Sequence, residues 1–205
     1  MENKKIFNGK DVHRDSTCSS HMPIQMELIN NFTIKNVLEF GVGFYSTKLF
    51  LDKCEKVISV EGDSDFWFEK MKTHYSNYTN FEHKYLTSLE EVTKFVKELK
   101  IKIDLIFVDG DVFRAEETNL SFELSDIIVV HDSQYSFFQS KHKKPEDFYQ
   151  IYFKEFPVYY EHQEGHSDNP WTTLFTKNKK VYEHFKNMKE SELYQKYSFP
   201  YVYNE

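Results

Sequence analysis

Two carboxylates and two glycines carry the clearest chemical signal in this chain. Residues 36–43 read Asn36-Val37-Leu38-Glu39-Phe40-Gly41-Val42-Gly43, an apolar run that ends in an acid and a glycine-x-glycine pair. Without a Cβ, Gly41 and Gly43 let the backbone turn sharply from strand to helix and let a ligand approach the main chain closely. Glu39, two residues before the first glycine, would repel phosphate and attract an ammonium or sulfonium group, directly or through water. A second run, Lys56-Val57-Ile58-Ser59-Val60-Glu61, again stops at a carboxylate, and Gly62 follows. Glu61 lies eighteen residues beyond Gly43, near the spacing at which a second-strand acid reaches a ribose in doubly wound folds and accepts both hydroxyl protons. The pattern suits a positively charged amino acid joined to a nucleoside, and S-adenosylmethionine (SAM) is the leading candidate. A dinucleotide fingerprint would need a third glycine where this chain has Ser46, which counts against a nicotinamide cofactor.

For these residues to meet, a parallel sheet must bring its strand ends to one edge. β-rich runs predict strands at 36–40, 56–61, 80–85, 103–108 and 126–131. Helices are expected at 22–31, 45–52, 64–76, 88–100 and 112–122, the fourth capped by Ser88 with Glu91 three residues later. Strands separated by single helices imply right-handed crossovers and helices on both faces. Beyond residue 132 the pattern predicts a helix at 145–154, opened by Pro145, then two β-rich runs at 157–162 and 172–176. Those runs are close enough to form a hairpin and add an antiparallel strand at one edge. Residues 179–196 read as a surface helix, and residues 1–20 as an irregular end. The expected fold class is α/β, Rossmann-like, with a mostly parallel seven-stranded sheet and an antiparallel edge strand. It forms a single domain over 1–205, with an N-terminal extension or lid at 1–33, a core at 34–177 and a C-terminal helix and tail at 178–205.

Bulk composition narrows the function. At 205 residues the chain can build one α/β domain with a sizeable core. The 20 Phe and 14 Tyr exceed what a core of this size needs, so some should line a cleft. A net charge of -7 argues against a general nucleic-acid-binding surface. No apolar stretch approaches the ~18 residues that span a bilayer. Cys18 and Cys54 form neither a metal-binding spacing nor a disulfide framework, as expected in a reducing cytoplasm.

The order Val37-Leu38-Glu39-Phe40-Gly41-Val42-Gly43, Val60-Glu61-Gly62-Asp63, Asp104-Leu105-Ile106-Phe107-Val108-Asp109-Gly110-Asp111 and Asp126-Ile127-Ile128-Val129-Val130-His131-Asp132 resembles the class I SAM-dependent methyltransferases. Within them, Val-Asp-Gly-Asp and Val-His-Asp look like elements of the small-molecule and sugar O-methyltransferases, many of which use a divalent metal. The stretch Ser19-Ser20-His21-Met22-Pro23 is similar to an element that closes over cofactor in some of them. The resemblance implies that Glu39, Gly41 and Gly43 surround the methionine part of SAM, that Glu61 and Gly62 take the ribose, and that Thr87 and Ser88 approach the adenine. Asp109 and Asp132 would face the acceptor, a small molecule or saccharide.

The last two acids admit two chemistries. Mg²⁺ takes oxygen ligands and keeps several waters, so Asp109 and Asp132 would suffice as its protein ligands and would acidify an acceptor hydroxyl. Metal-dependent relatives commonly have Asn after the second Asp, where this chain has Ser133, and the sugar enzymes often have a His where it has Val112. His131 could instead remove the acceptor proton, or be a buried strand-end histidine bonded to backbone. Alternation places His131 and Asp132 on opposite sides of a continuing strand. His21, His142 and His166 fall on expected loops or ends, where histidines are usually solvated, and define no zinc motif. The basic run Lys141-His142-Lys143-Lys144 would attract an anionic acceptor or be a solvated loop. Phe137, Phe138, Phe148, Tyr149, Tyr152 and Phe153 would wall a pocket or fill the core. A non-catalytic module that keeps the sheet, and a nicotinamide-dependent oxidoreductase, remain the competing readings.

Overall fold

A computed structural model describes residues 6–7, 10–11, 21–154 and 171–197. The short strands β1 (Ile6–Phe7) and β2 (Lys10–Asp11) pair antiparallel with each other. The main sheet has seven strands: β3 (Asn36–Phe40), β4 (Lys56–Glu61), β5 (Phe81–Tyr85), β6 (Leu105–Val108), β7 (Ile127–His131), β8 (Tyr149–Phe153) and β9 (Thr172–Thr176). Their order is β5-β4-β3-β6-β7-β9-β8. β3 pairs in parallel with both β4 and β6, and so lies at the point where the strand order reverses. Ligands of open α/β sheets bind beyond the carboxyl ends of strands at such a point. β9 runs antiparallel to both β7 and β8, which places the expected antiparallel strand at the predicted end of the sheet.

Its partner differs from expectation. The 145–154 segment, read as a helix, contains β8 instead, with Tyr149 opposite Thr176 and Phe153 opposite Thr172. β-branched and aromatic residues at 149–153 favour a pleated surface, and pairing with β9 overrides the helical start that Pro145 suggested. The 157–162 run lies outside the described residues. The 179–196 segment divides into α7 (Lys179–Phe185) and α8 (Glu190–Lys196).

Period-two alternation sorts the core into two layers. Val37, Val57, Leu105, Phe107 and Val129 face α1 (Met22–Asn31), α2 (Ser46–Lys53), α3 (Asp65–His74), α7 and α8. Leu38, Ile58, Ile106, Val108, Ile128 and Val130 face α4 (Leu89–Glu98), α5 (Arg114–Ser121) and α6 (Ser136–Lys141). Both faces are buried and mostly apolar, which is why these strands read as nearly continuous hydrophobic runs. Burying each such side chain contributes about 1.5–3 kcal/mol. Alternation also decides the chemistry, because Glu39, Ser59 and His131 share the parity of the residues that face α1 and α2.

The outer elements are tied down by polar contacts. Glu27 on α1 is fully buried and accepts from Lys196 Nζ at 2.6 and 2.9 Å. It also bonds His184 Nε2 at 2.7 Å and the Tyr197 hydroxyl. One carboxylate thereby fastens α7 and α8 to α1.

Candidate active site

The glycine turn after β3 has the geometry its residues demand. Gly41 has φ +87°, and a Cβ there would sit 2.8 Å from the Gly110 nitrogen and 2.9 Å from the Asp109 carbonyl carbon. The turn therefore packs directly on the loop that follows β6, and only glycine fits. Gly62 is equally confined, since its Cβ would lie 2.5 Å from the Leu86 oxygen. Two side chains of α3 and its C-terminus hold the turn's carbonyls: Trp67 Nε1 donates to Val42 O at 2.8 Å and the Tyr75 hydroxyl to Gly43 O at 2.9 Å.

Around this turn is a cavity of about 240 Å³, lined by Gly41, Val42, Gly43, Glu61, Asp63, Trp67, Asp109, Gly110 and Asp111. Among the described residues that line it, four are acids and none is Lys or Arg. Glu61 is nearly buried, and its Oε1 accepts the Gly62 and Asp63 backbone N–H groups at 2.9 Å each. Those bonds fix the carboxyl's orientation, while burial raises its pKa above the ordinary glutamate value.

Glu39, expected to act on a cationic ligand directly or through water, lies back from the cavity. It lies behind the turn, fully buried, and is not among the residues lining the cavity. Three hydroxyls donate to it: Ser46 at 2.6 Å, Thr47 at 2.6 Å and Ser59 at 2.7 Å. Thr47 Oγ1 in turn accepts from Gly43 N at 2.9 Å. Glu39 thus locks the start of α2 and the glycine turn to β4. Burial outweighs the three bonds and pushes its pKa up to about 7.

Thr87 and Ser88 follow β5 and join in capping α4. Ser88 Oγ accepts from Glu91 N, and Glu91 Oε2 accepts the Thr87 and Ser88 backbone N–H groups at 3.0 and 3.1 Å. Neither lines the cavity. Ser88→Ala should lower stability by about 1 kcal/mol through loss of the cap, measurable by urea unfolding. SAM affinity in the same variant separates cap from adenine contact: a cap alone leaves it unchanged.

The ends of β6 and β7 hold a polar cluster. Asp109 Oδ1 lies 2.8 Å from His131 Nδ1. Asp132 adopts a left-handed φ of +52°, which turns the chain so that its Oδ2 comes within 3.7 Å of the same nitrogen. The two side chains thus converge where a continuing strand would have separated them. Burial disfavours the imidazolium of His131, but the carboxylates of Asp109 and Asp132 prevail and raise its pKa. For Asp109 burial acts to raise the pKa, and His131, His21 and Arg114 together hold it lower.

Arg114 is the residue that sequence reasoning missed. Only 2% exposed at the start of α5, it donates from Nε to Gly110 O at 3.0 Å and from Nη2 to Asp109 O at 3.3 Å. Its guanidinium also lies 2.9 Å from Asp111 Oδ1, 3.5 Å from Asp132 Oδ2 and 3.8 Å from Asp109 Oδ1. The available signal was its rarity: arginine occurs in the chain only as Arg14 and Arg114, and Asp111 precedes Arg114 by three residues.

Arg114 also bears on Mg²⁺. A cation already stands between Asp109 and Asp132, and the next residue, Ser133, is buried with its hydroxyl 2.6 Å from Thr173 Oγ1 and 3.3 Å from Trp171 O. A hard cation needs anionic oxygens that are not already paired, so the Asp109 and Asp132 arrangement does not fit it.

The remaining candidates divide. Phe138, Phe148 and Phe153 are core residues, whereas Phe137, Tyr149 and Tyr152 are exposed. Tyr135 stacks on Phe137 just beyond β7, with ring centroids 5.8 Å apart. His142 stacks on Phe138 with its Nδ1 3.0 Å from Phe138 O. His21, expected on a solvated end, is 1% exposed. His166, Ser19 and Ser20 lie outside the described residues.

No protein-family model and no curated relative matches the sequence. Solved structures do. The O-methyltransferase from Bacillus cereus in complex with SAH superposes with a TM-score of 0.57 at 14% identity, covering 81% of this chain and 82% of that one. The rRNA methylase from Streptococcus thermophilus gives 0.51 at 10% identity, covering 75% and 95%. The N-methyltransferase NodS from Bradyrhizobium japonicum WM9, in complex with S-adenosyl-L-homocysteine (SAH), gives 0.50 at 10% identity, covering 78% and 86%. The fold is therefore the Rossmann-like fold of the class I methyltransferases. One of the three is named for rRNA, one for O-methyl and one for N-methyl transfer, so the fold does not specify an acceptor. No helix among the described residues is long and apolar enough to cross a membrane.

Proposed function

We propose that the chain is a SAM-dependent methyltransferase that methylates a hydroxyl of a small molecule or saccharide. One observation supports this reading most: among the described residues, the cavity at the reversal of strand order is lined by Glu61, Asp63, Asp109 and Asp111 and by no basic side chain. A pyrophosphate would be repelled there, and a sulfonium bound to an α-ammonium group would be attracted. Glu61 takes the ribose hydroxyls, beside the confined Gly62. Gly41 and Gly43 admit the methionine portion, with Glu39 fixing the turn from behind. Thr87 and Ser88 stand on the strand edge nearest the adenine.

Methyl transfer is an in-line displacement. The acceptor oxygen bonds to the methyl carbon as the carbon–sulfur bond breaks, its electron pair stays on sulfur, and SAH leaves. The protein's contribution is to hold the reacting atoms about 3–3.5 Å apart and to take the hydroxyl proton. Asp109 orients His131, which receives that proton, while Asp132 and Arg114 set the charge around the pair. The exposed rings of Tyr135 and Phe137 offer an apolar wall to the acceptor. A cytoplasmic setting belongs to the same reading.

Glu61→Gln tests the cofactor assignment. The amide still accepts from Gly62 and Asp63 but loses the charge-assisted bond to ribose, so SAM affinity should fall about tenfold, or ~1.5 kcal/mol. Calorimetric titration reads this directly, and an unchanged Kd would remove Glu61 from the site.

A further inference from the structure

His21 precedes the first turn of α1, and its ring is buried with neither Nδ1 nor Nε2 hydrogen-bonded. It serves no local purpose as a cap, since no side-chain cap bond forms. His83 also has both ring nitrogens unpartnered, but of the two only His21 lies, among the described residues, in a group of side chains able to hold a metal ion. The ring packs on Phe107 at 4.6 Å and meets the His131 ring edge-on at 4.7 Å. One ligand atom each from His21, Asp109 and His131 lies within 4.8 Å of the other two.

From this geometry we infer that His21, Asp109 and His131 bind a divalent first-row transition-metal ion at the ends of β6 and β7. Two imidazoles and one carboxylate are the donor set such ions prefer, whereas Mg²⁺ prefers oxygen alone. Metal–nitrogen and metal–oxygen bonds of about 2.0–2.2 Å hold ligand atoms some 3–4 Å apart, so a small rotation of His21 closes the set. The Asp109–His131 contact of 2.8 Å is a hydrogen bond, and it lengthens slightly when both atoms ligate. When His131 Nδ1 ligates, any proton on it passes to solvent.

The surroundings support an ion. Thr172, directly opposite His131 in the β7–β9 register, has a buried hydroxyl without a partner. Gln25, one turn beyond His21 on the same helical face, is fully buried with both amide atoms unpartnered. Metal-bound water is the kind of group that satisfies such donors and acceptors. This set uses His21 in place of Asp132, whose Oδ2 lies 3.5 Å from Arg114; because Asp109 also lines the acidic cavity, the ion is tested in the absence of SAM.

The test is titration of Co²⁺ into the chelator-stripped full chain without SAM, followed by calorimetry and visible absorption. The inference predicts one ion per chain, low-micromolar or tighter, undisturbed by excess Mg²⁺. His21→Phe, which keeps the ring contact with Phe107 but removes both nitrogens, should weaken binding at least about 100-fold. Should that variant fail to fold, His21→Ala takes its place. Asp132→Asn should bind Co²⁺ as wild type does. No binding at about 1 mM Co²⁺, full affinity after loss of His21, or loss of binding in Asp132→Asn would each overturn the inference.

Discussion

Arg114→Met should destabilise the protein by about 3 kcal/mol, read as a fall in urea midpoint at unchanged slope and a melting temperature about 6–12 °C lower. Methionine nearly preserves the volume, so the loss reports charge and hydrogen bonding rather than a void. The guanidinium serves the carbonyls of Gly110 and Asp109 and stands 3.5 Å from Asp132 and 3.8 Å from Asp109. Without it those carboxylates are left beside one another with His131 as their remaining counter-charge among the described residues. Breaking a buried pair from one side costs about 3–5 kcal/mol. The lower end applies because the Asp109 and Asp132 side chains keep 28% and 26% of their surface exposed. A change below about 0.5 kcal/mol would mean that the cluster does not need its cation.

The second large effect is a pH dependence centred on Glu39. Its folded pKa is raised to about 7 from an ordinary 4.5. The unfolded chain therefore ionises first, and the stability that neutral Glu39 contributes is complete below about pH 4.5 and lost as pH rises through 7. Linkage makes the loss about 3 kcal/mol. Glu117, whose pKa burial raises to about 8, contributes with the same sign, so the informative quantity is wild type minus Glu39→Gln. That difference should favour wild type at pH 5 and shift toward the variant by about 3 kcal/mol at pH 8.5. A constant difference across this range would show that Glu39 is already ionised in the folded state.

Much of the site's frame was legible in sequence because its signals are local. The runs at 36–40 and 56–61 became strands with those limits because an apolar stretch bounded by a glycine turn has few alternatives. Ser88 and Glu91 announced a capping box that needs only one helical turn to form. Residues 149–153 were misread because the decisive interaction, pairing with β9, joins residues far apart in sequence, from Phe153 with Thr172 to Tyr149 with Thr176. Arg114 was overlooked, and His21 was read as lying on a solvated end, for the same reason. A lone arginine and a histidine before a helix carry little meaning until α5 and α1 fold against the strand ends. Glu39 was recognised as important, but its three hydroxyl partners come from two different elements, which no spacing rule reveals.

Everything proposed for function rests on the acidic cavity holding a sulfonium nucleoside. Parallel calorimetric titrations of the purified chain with SAM and with NAD test this most directly. The account predicts a SAM Kd of about 1–100 µM, corresponding to roughly −5.5 to −8 kcal/mol, and no heat from NAD. NAD binding in that range, with none from SAM up to about 1 mM, would contradict it.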